Sequence, residues 1–216
     1  MAGRRGADVI AYKFLRAGRV GRFSGVSWPA PGEWLQGGGG ERACEPRVHA
    51  CRLEDLPEWM DQELWRVELD GRVAVDCGKL VADRGRLVER IEAWDAAFMA
   101  EFAQACALRA RDCALTVLPA GSPAHIALAA CGDAEQLAAA VSLLGTRDAR
   151  DERAAGYAGD AARHVLGARR QPATAPVHAA VNGFIAAHAA AFAQRDVSAV
   201  RGERAWQVEW LARRLA

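Results

Sequence analysis

Glu63-Leu64-Trp65-Arg66-Val67-Glu68-Leu69-Asp70 is the stretch on which the fold turns, because its polar and apolar residues alternate with a period of two. Glu63, Trp65, Val67 and Leu69 fall on one face of a strand and Leu64, Arg66, Glu68 and Asp70 on the other, so the first face is expected to pack inward. Asp70-Gly71 then reads as a tight turn into a strand over Arg72 to Asp76. Lys79 to Asp83 and Arg86 to Ile91, joined through Arg84-Gly85, complete an expected antiparallel meander. Working upstream, Arg47 to Arg52 reads as a short strand, Leu53 to Met60 as a helical turn or two, and Val9 to Leu15 as the first strand. Trp28-Pro29-Ala30-Pro31-Gly32 and the run Gly37 to Gly40 break regular structure. That run is not a phosphate loop, since no Gly-Lys-Ser/Thr follows it.

Beyond Ile91 the period changes to that of a helix. Trp94, Phe98, Phe102 and Cys106 recur every four residues on a helix expected over about 93 to 111, where such a stripe is core. Asp133 with Gln136 forms a capping-box pattern, Leu137, Val141 and Leu144 follow on one face, and Gly145 stops the run. Helices are further expected from about Asp148 to Ala168, from a linker at Pro172 and Pro176 through Val177, Val181, Phe184, Ile185 and Phe192, and from a cap at Asp196 or Ser198 through Trp206 and Trp210. The reading is an α+β chain, with a mostly antiparallel sheet in the N-terminal half followed by an alanine-rich helical array whose small side chains allow close helix approach. The domain boundary is placed near residue 92, giving a β-rich domain over 1–92 and an α-helical domain over 93–216.

The chain has 216 residues, 51% of them hydrophobic, enough for a sizeable core, and a net charge of +1. That balance removes the usual electrostatic argument for nucleic acid, which needs a basic face. The start has positive charge without the apolar segment of a secretory signal, and the longest apolar run, near Ala179 to Ala193, is interrupted by Asn182 and His188. A cytoplasmic protein with no membrane segment is expected, and its six cysteines read as reduced thiols. Of 28 basic residues only Lys13 and Lys79 are lysine, a bias typical of GC-rich coding. A lysine kept against that bias either packs, snorkels from a strand or makes a contact that arginine cannot make.

Cys44, His49 and Cys51, with Cys77, are the residue types that bind zinc, and zinc is the one cofactor entertained, although no Cys-x-x-Cys knuckle is present. The same residues could form a thiol–imidazole nucleophile. Packed thiols and a hydrogen-bonded histidine at a sheet edge are the structural alternative. Tyr12, Lys13, His49 and Glu68 are the candidate catalytic residues of an enzyme built on the sheet. Glu68 and Asp70 form a carboxylate pair for acid–base work, set against the plain alternative of a solvated strand face. On the helices, Asp160, His164, His178, His188 and Glu203 carry ligand chemistry without paired Glu-x-x-His motifs.

Cys44, His49-Ala50-Cys51, Val67-Glu68-Leu69-Asp70-Gly71 and Lys79-Leu80-Val81-Ala82 together resemble the motifs of a domain family of bacterial and phage proteins that brings no established activity. Where that family often has glycine, Arg47 or Val48 stands here. Ala154-Ala155-Gly156-Tyr157-Ala158, His178, His188 and Glu203-Arg204-Ala205-Trp206-Gln207 resemble, more loosely, immunity proteins of bacterial polymorphic-toxin systems. These resemblances imply a protein-binding module of immunity or phage-conflict type, with exposed tryptophans and arginines as its contact surface. The competing class is an enzyme, either zinc- or thiol-dependent or, at the level of fold analogy alone, similar to ADP-ribosyltransferases. A deep pocket gathering the four candidate side chains would favour the enzyme. Oligomeric state and partner identity are left open.

Overall fold

The computed structural model describes residues 9–38, 47–76, 78–143, 150–167, 175–194 and 198–215. Cys44, Cys77, the tip of the glycine run, Leu144, Gly145, Pro172 and Asp196 lie outside the described residues. The fold is α+β, an antiparallel sheet in the N-terminal half followed by helices. The chain divides into two compact units, Met1–Asp95 and Ala96–Arg214.

The first unit is built on two long strands, β4 (Glu63–Asp76) and β5 (Lys79–Arg90). Strand β1 (Val9–Leu15) pairs with β4 from Val9 opposite Leu69 to Leu15 opposite Glu63. On the far edge of β5, β3 (Val48–Ala50) pairs with Leu80 to Ala82 and β2 (Trp34–Gln36) with Arg84 to Arg86. Directly after β3, Cys51 exchanges two backbone hydrogen bonds of 2.8 Å with Tyr12 of β1. Strands β1, β4, β5 and β3 therefore close into a ring of backbone hydrogen bonds, which leaves few edges unpaired. Its core holds Ala11, Leu15, Trp28, Val48, Ala50, Trp65, Val67, Leu69, Leu80, Ala82 and Leu87.

Two expected turns are not turns. Asp70-Gly71 sits inside β4, where the register with β5 shifts between Asp70 and Val73. Gly71 has φ +83°, and its N–H bonds the Asp70 carboxylate. An Asp-Gly pair supplies the positive φ that a bulge needs as well as a turn, and here it kinks a continuous strand. The hairpin reverses instead between Asp76 and Lys79, which are paired, with Gly78 at φ +72°. Arg84-Gly85 likewise lies within β5. A Cβ on Gly85 would stand 2.8 Å from Val48 Cγ1 and 3.1 Å from Leu69 Cδ2, so glycine lets the strand pass close to its neighbours. The alternation of β4 is right for Trp65, Val67 and Leu69, but its other face is not simply solvated, for Leu64 and Glu68 are buried as well.

After the short helix α1 (Leu56–Trp59) of the first unit, the second unit runs through α2 (Ala96–Leu115), α3 (Pro123–Ala129), α4 (Ala134–Leu143), α5 (Arg150–Gly167), α6 (Ala175–Gln194) and α7 (Ser198–Leu215) in order. The capping box is present in altered form. Asp133 accepts from the N–H of Gln136 at 2.8 Å, while the Gln136 side chain accepts from the N–H of Gly132 at 2.7 Å. The core is largely alanine, with Ala107, Ala110, Ala114, Ala154, Ala158, Ala161, Ala186 and Ala190 all buried, as close helix approach requires. In α6 these alanines take the inner face, and the larger Val181 and Phe192 are exposed. Pro176, expected in a linker, stands in the first turn of α6, where a missing N–H costs nothing. Two short elements, β2 and α3, carry no periodicity long enough to be read. Among the described residues, no helix is long and apolar enough to cross a membrane.

Candidate functional site

A cavity of about 550 Å³ opens in the first unit. Its walls come from separate segments: β1 gives Lys13 and Phe14, the loop after it gives Arg22, Phe23 and Trp28, β3 and its flanks give Arg47, His49 and Cys51, α1 (Leu56–Trp59) gives Trp59, and β5 gives Lys79. Four of the lining residues are cationic, and none of those described is a carboxylate.

Each wall is held by identifiable bonds. The loop after β1 turns through Gly18 and Arg19, both at positive φ, and bridges back on itself at Arg16–Val20 and Val20–Ser27. The N–H of Trp28 then donates to the Arg19 carbonyl at 2.9 Å, setting the indole into the core. Opposite, the Trp59 indole N–H donates to the carbonyl of Gly78 at 3.0 Å and ties α1 to the β4–β5 hairpin. Phe23 meets the Trp59 ring edge-on at 6.3 Å. The ammonium of Lys13 stands 5.8 Å from the centre of the Trp28 ring, and that of Lys79 5.8 Å from the centre of the Trp59 ring.

The two lysines differ from most of the arginines set on the strands of this unit. Arg52, Arg66, Arg84 and Arg86 are matched with Asp55, Glu89, Asp70 and Glu68, and Arg47 donates to Asp83 at 2.8 Å. Lys13 and Lys79 have no carboxylate within ion-pair distance among the described residues. Lys13 takes the step of β1 between Ala11 and Leu15, both in the core, and pairs across the sheet with Trp65. Burial there lowers its pKa to about 8, and the charge of Lys79 adds to the effect. His49 is held below its ordinary value by burial, then by Lys79 and Lys13. Burial pushes the Cys51 thiol up to about 12, against the nearby Lys13 charge, so it is a protonated thiol at neutral pH. Arg47 is also deeply set, and its Nε has no hydrogen-bond partner among the described residues.

The four candidate catalytic residues divide. Lys13 and His49 line the cavity, whereas Tyr12 and Glu68 do not. Ile10 pairs with Glu68 and Tyr12 with Arg66, which puts both on the face of β1–β4 that alternates away from Lys13. Glu68 is buried and accepts from Arg86 Nε at 2.8 Å, an ion pair across β4–β5 in place of a solvated face. Asp70 is bound by Arg84 and by the Gly71 N–H, and these bonds hold its carboxyl below the usual range. Of the zinc set, His49 and Cys51 share the cavity, while Cys44 and Cys77 lie outside the described residues. Among the described residues no three His, Cys, Asp or Glu side chains gather into a metal-binding group. The two lysines that act most strongly on His49 also carry the sign that opposes a cation there.

The helical set separates in the same way. His164 and His178 stack with ring centroids 4.6 Å apart, and Asp160 pairs with Arg163. Glu203 is fully buried elsewhere in the unit, accepting from Arg109 Nε at 3.1 Å and from Gln207 Nε2 at 2.9 Å. Nor are the tryptophans an exposed surface: all seven are buried or half-buried, Trp34 under Arg84 and Arg86 and Trp210 against Phe98 and Phe102. Sequence reasoning missed Trp28, Trp59, Phe23, Arg22 and Arg47 as cavity residues. The one usable signal was the rarity of lysine, since both lysines of the chain line the same cavity. Comparison with family models, with curated proteins and with solved structures gives no significant match. The resemblances drawn from the sequence therefore stand on the quoted motifs alone.

Proposed function

We propose that the first unit binds a small anion carried on a flat or apolar body. The observation that carries this reading is the pair of lysines, Lys13 and Lys79, set in one cavity without a carboxylate partner among the described residues. Both lysines are half-buried, and a cation that loses part of its hydration without gaining a counter-ion is costly, a charge that an anionic ligand supplies. Trp28, Trp59 and Phe23 supply faces and edges on which a ring can lie. The volume suits a small molecule. This reading comes before a protein-binding one because the tryptophans expected to form a contact surface are engaged within the fold.

Phenyl phosphate tests it, as a ring with a doubly charged head. We expect saturable binding, read from tryptophan fluorescence and from a rise in Tm of the full chain. Lys13→Met and Lys79→Met should each weaken binding about tenfold, equivalent to about 1.4 kcal/mol. Benzylammonium, similar in shape and opposite in charge, should not bind. If phenyl phosphate leaves fluorescence and Tm unchanged at millimolar concentration, or if both ions bind alike, the reading fails.

A further inference from the structure

We infer that the Lys13 amine forms a reversible imine with a carbonyl group of the anion this cavity holds, so that the ligand class is an aldehyde or ketone bearing a phosphate or carboxylate. The inference rests on the anion-binding reading and deepens it.

In a chain that otherwise uses arginine for its cations, both lysines stand at one cavity. Anion binding alone is served at least as well by the guanidinium fork of arginine. What arginine cannot do is lose a proton and attack a carbon, and lysine can. Lys13 sits on the core side of β1 between Ala11 and Leu15, rigidly based in the closed ring, with Trp28 beside it and no carboxylate holding its ammonium among the described residues. Desolvation next to a second cation is a recognised way to activate a lysine nucleophile. With a pKa of about 8, about a tenth of the molecules carry the free amine at pH 7.

The remaining parts divide the work. Lys79, at the start of β5 and lining the same cavity, is placed to take the anionic group, leaving Lys13 for the carbonyl. The neutral Nζ lone pair adds to the carbonyl carbon as the C=O π pair moves onto oxygen. One proton passes from nitrogen to that oxygen to give a carbinolamine. A second follows as the C–O bond breaks, C=N forms and water leaves. The amine thus gives up two protons, the carbonyl oxygen departs as water, and no oxidant or reductant takes part. His49 lines the same cavity and is unprotonated at neutral pH, so its ring can accept and return the proton in transit.

The probe is pyridoxal 5′-phosphate, chosen because it joins a flat ring, an aldehyde and a phosphate. The full chain is incubated with it, reduced with sodium borohydride to fix any imine as a secondary amine, digested and mapped by mass spectrometry. With two lysines in the chain the map is simple. We expect the adduct on Lys13 at least tenfold over Lys79, suppressed by phenyl phosphate, which has no carbonyl. Lys13→Arg, shown to be folded by its unfolding transition, should lose the dominant adduct with no adduct of equal yield appearing on Lys79. Equal labelling, preference for Lys79, labelling that phenyl phosphate does not suppress, or an unlabelled Lys13 in a chain that binds phenyl phosphate would each overturn the imine while leaving the anion site standing. An unlabelled Lys13 in a chain that also fails to bind phenyl phosphate removes both.

Discussion

At the scale of the residue, Lys13 is expected to weaken the fold it sits in. A cation placed between Ala11 and Leu15 loses hydration and gains no counter-ion among the described residues, and its lowered pKa measures that loss. Lys13→Met keeps much of the volume and removes the charge, so at pH 7 it should raise stability by about 1–2 kcal/mol while abolishing the imine. The sign with pH follows from the same shift. Between about 8 and 10.5 the unfolded chain holds a proton on Lys13 that the folded chain has released, so the wild type gains stability as pH rises and the advantage of the variant fades. Urea midpoints of both proteins at pH 7, 8, 9 and 10 check this. A variant less stable than the wild type at pH 7 would make Lys13 a packing residue. The sequence did contain a hint of Lys13, because a lysine amid arginines is unusual. It could not show that Glu68 is paired with Arg86 or that Tyr12 turns away, since both follow from a register set by residues far along the chain.

At the scale of the element, β5 shows how one long strand serves three neighbours. Its single smallest residue, Gly85, lies opposite Leu69 of β4 and beside Leu35 of β2, with Val48 pressed over it. Because φ at Gly85 is not in the positive region, the demand for glycine comes from crowding and not from backbone conformation. Gly85→Ala should therefore destabilise the chain by about 1–3 kcal/mol, the usual range for overpacking a filled core. Denaturant unfolding measures it. A cost below about 0.5 kcal/mol would mean that Val48 and Leu69 can move aside. The strands β1, β4 and β5 were legible because their alternation is long enough to set a period. Asp-Gly at 70–71 misled because the backbone chemistry of a bulge and of a hairpin turn is the same at that dipeptide. The helices of the second unit were legible from apolar spacing and from the Asp133 cap. Which face each one buries was less so, for an alanine core has almost no contrast in side-chain size.

At the scale of the whole molecule, the thiols of both units respond to alkali together. Cys51, Cys106, Cys113 and Cys131 are free, and burial raises all four above their ordinary value, Cys51 to about 12 and Cys113 to about 11. Above pH 9 the unfolded chain loses thiol protons that the folded chain keeps, so folding stability from these groups is complete below 9 and falls as pH rises toward 11. Lys13 acts in the opposite direction and is one group against four. Stability should thus peak between pH 8 and 9 and decline by pH 10.5, measured by urea unfolding under reductant, with a steeper decline in Lys13→Met. A stability curve still rising at pH 10.5 would show that the thiols ionise as readily folded as unfolded. The cavity itself was the least legible feature. It draws on six stretches between Lys13 and Lys79 that meet only once the ring closes at Tyr12 and Cys51.

That both side-chain amines of the chain lie at one cavity has a practical side. Reagents that couple to lysine, whether dyes, biotin esters, bifunctional crosslinkers or the activated resins used to immobilise a bait, find no ordinary surface lysine to react with. Whatever they attach at a side chain is delivered into the cavity, so a chain tethered through lysine is a chain with its recess plugged, and its silence toward a ligand would report the tether.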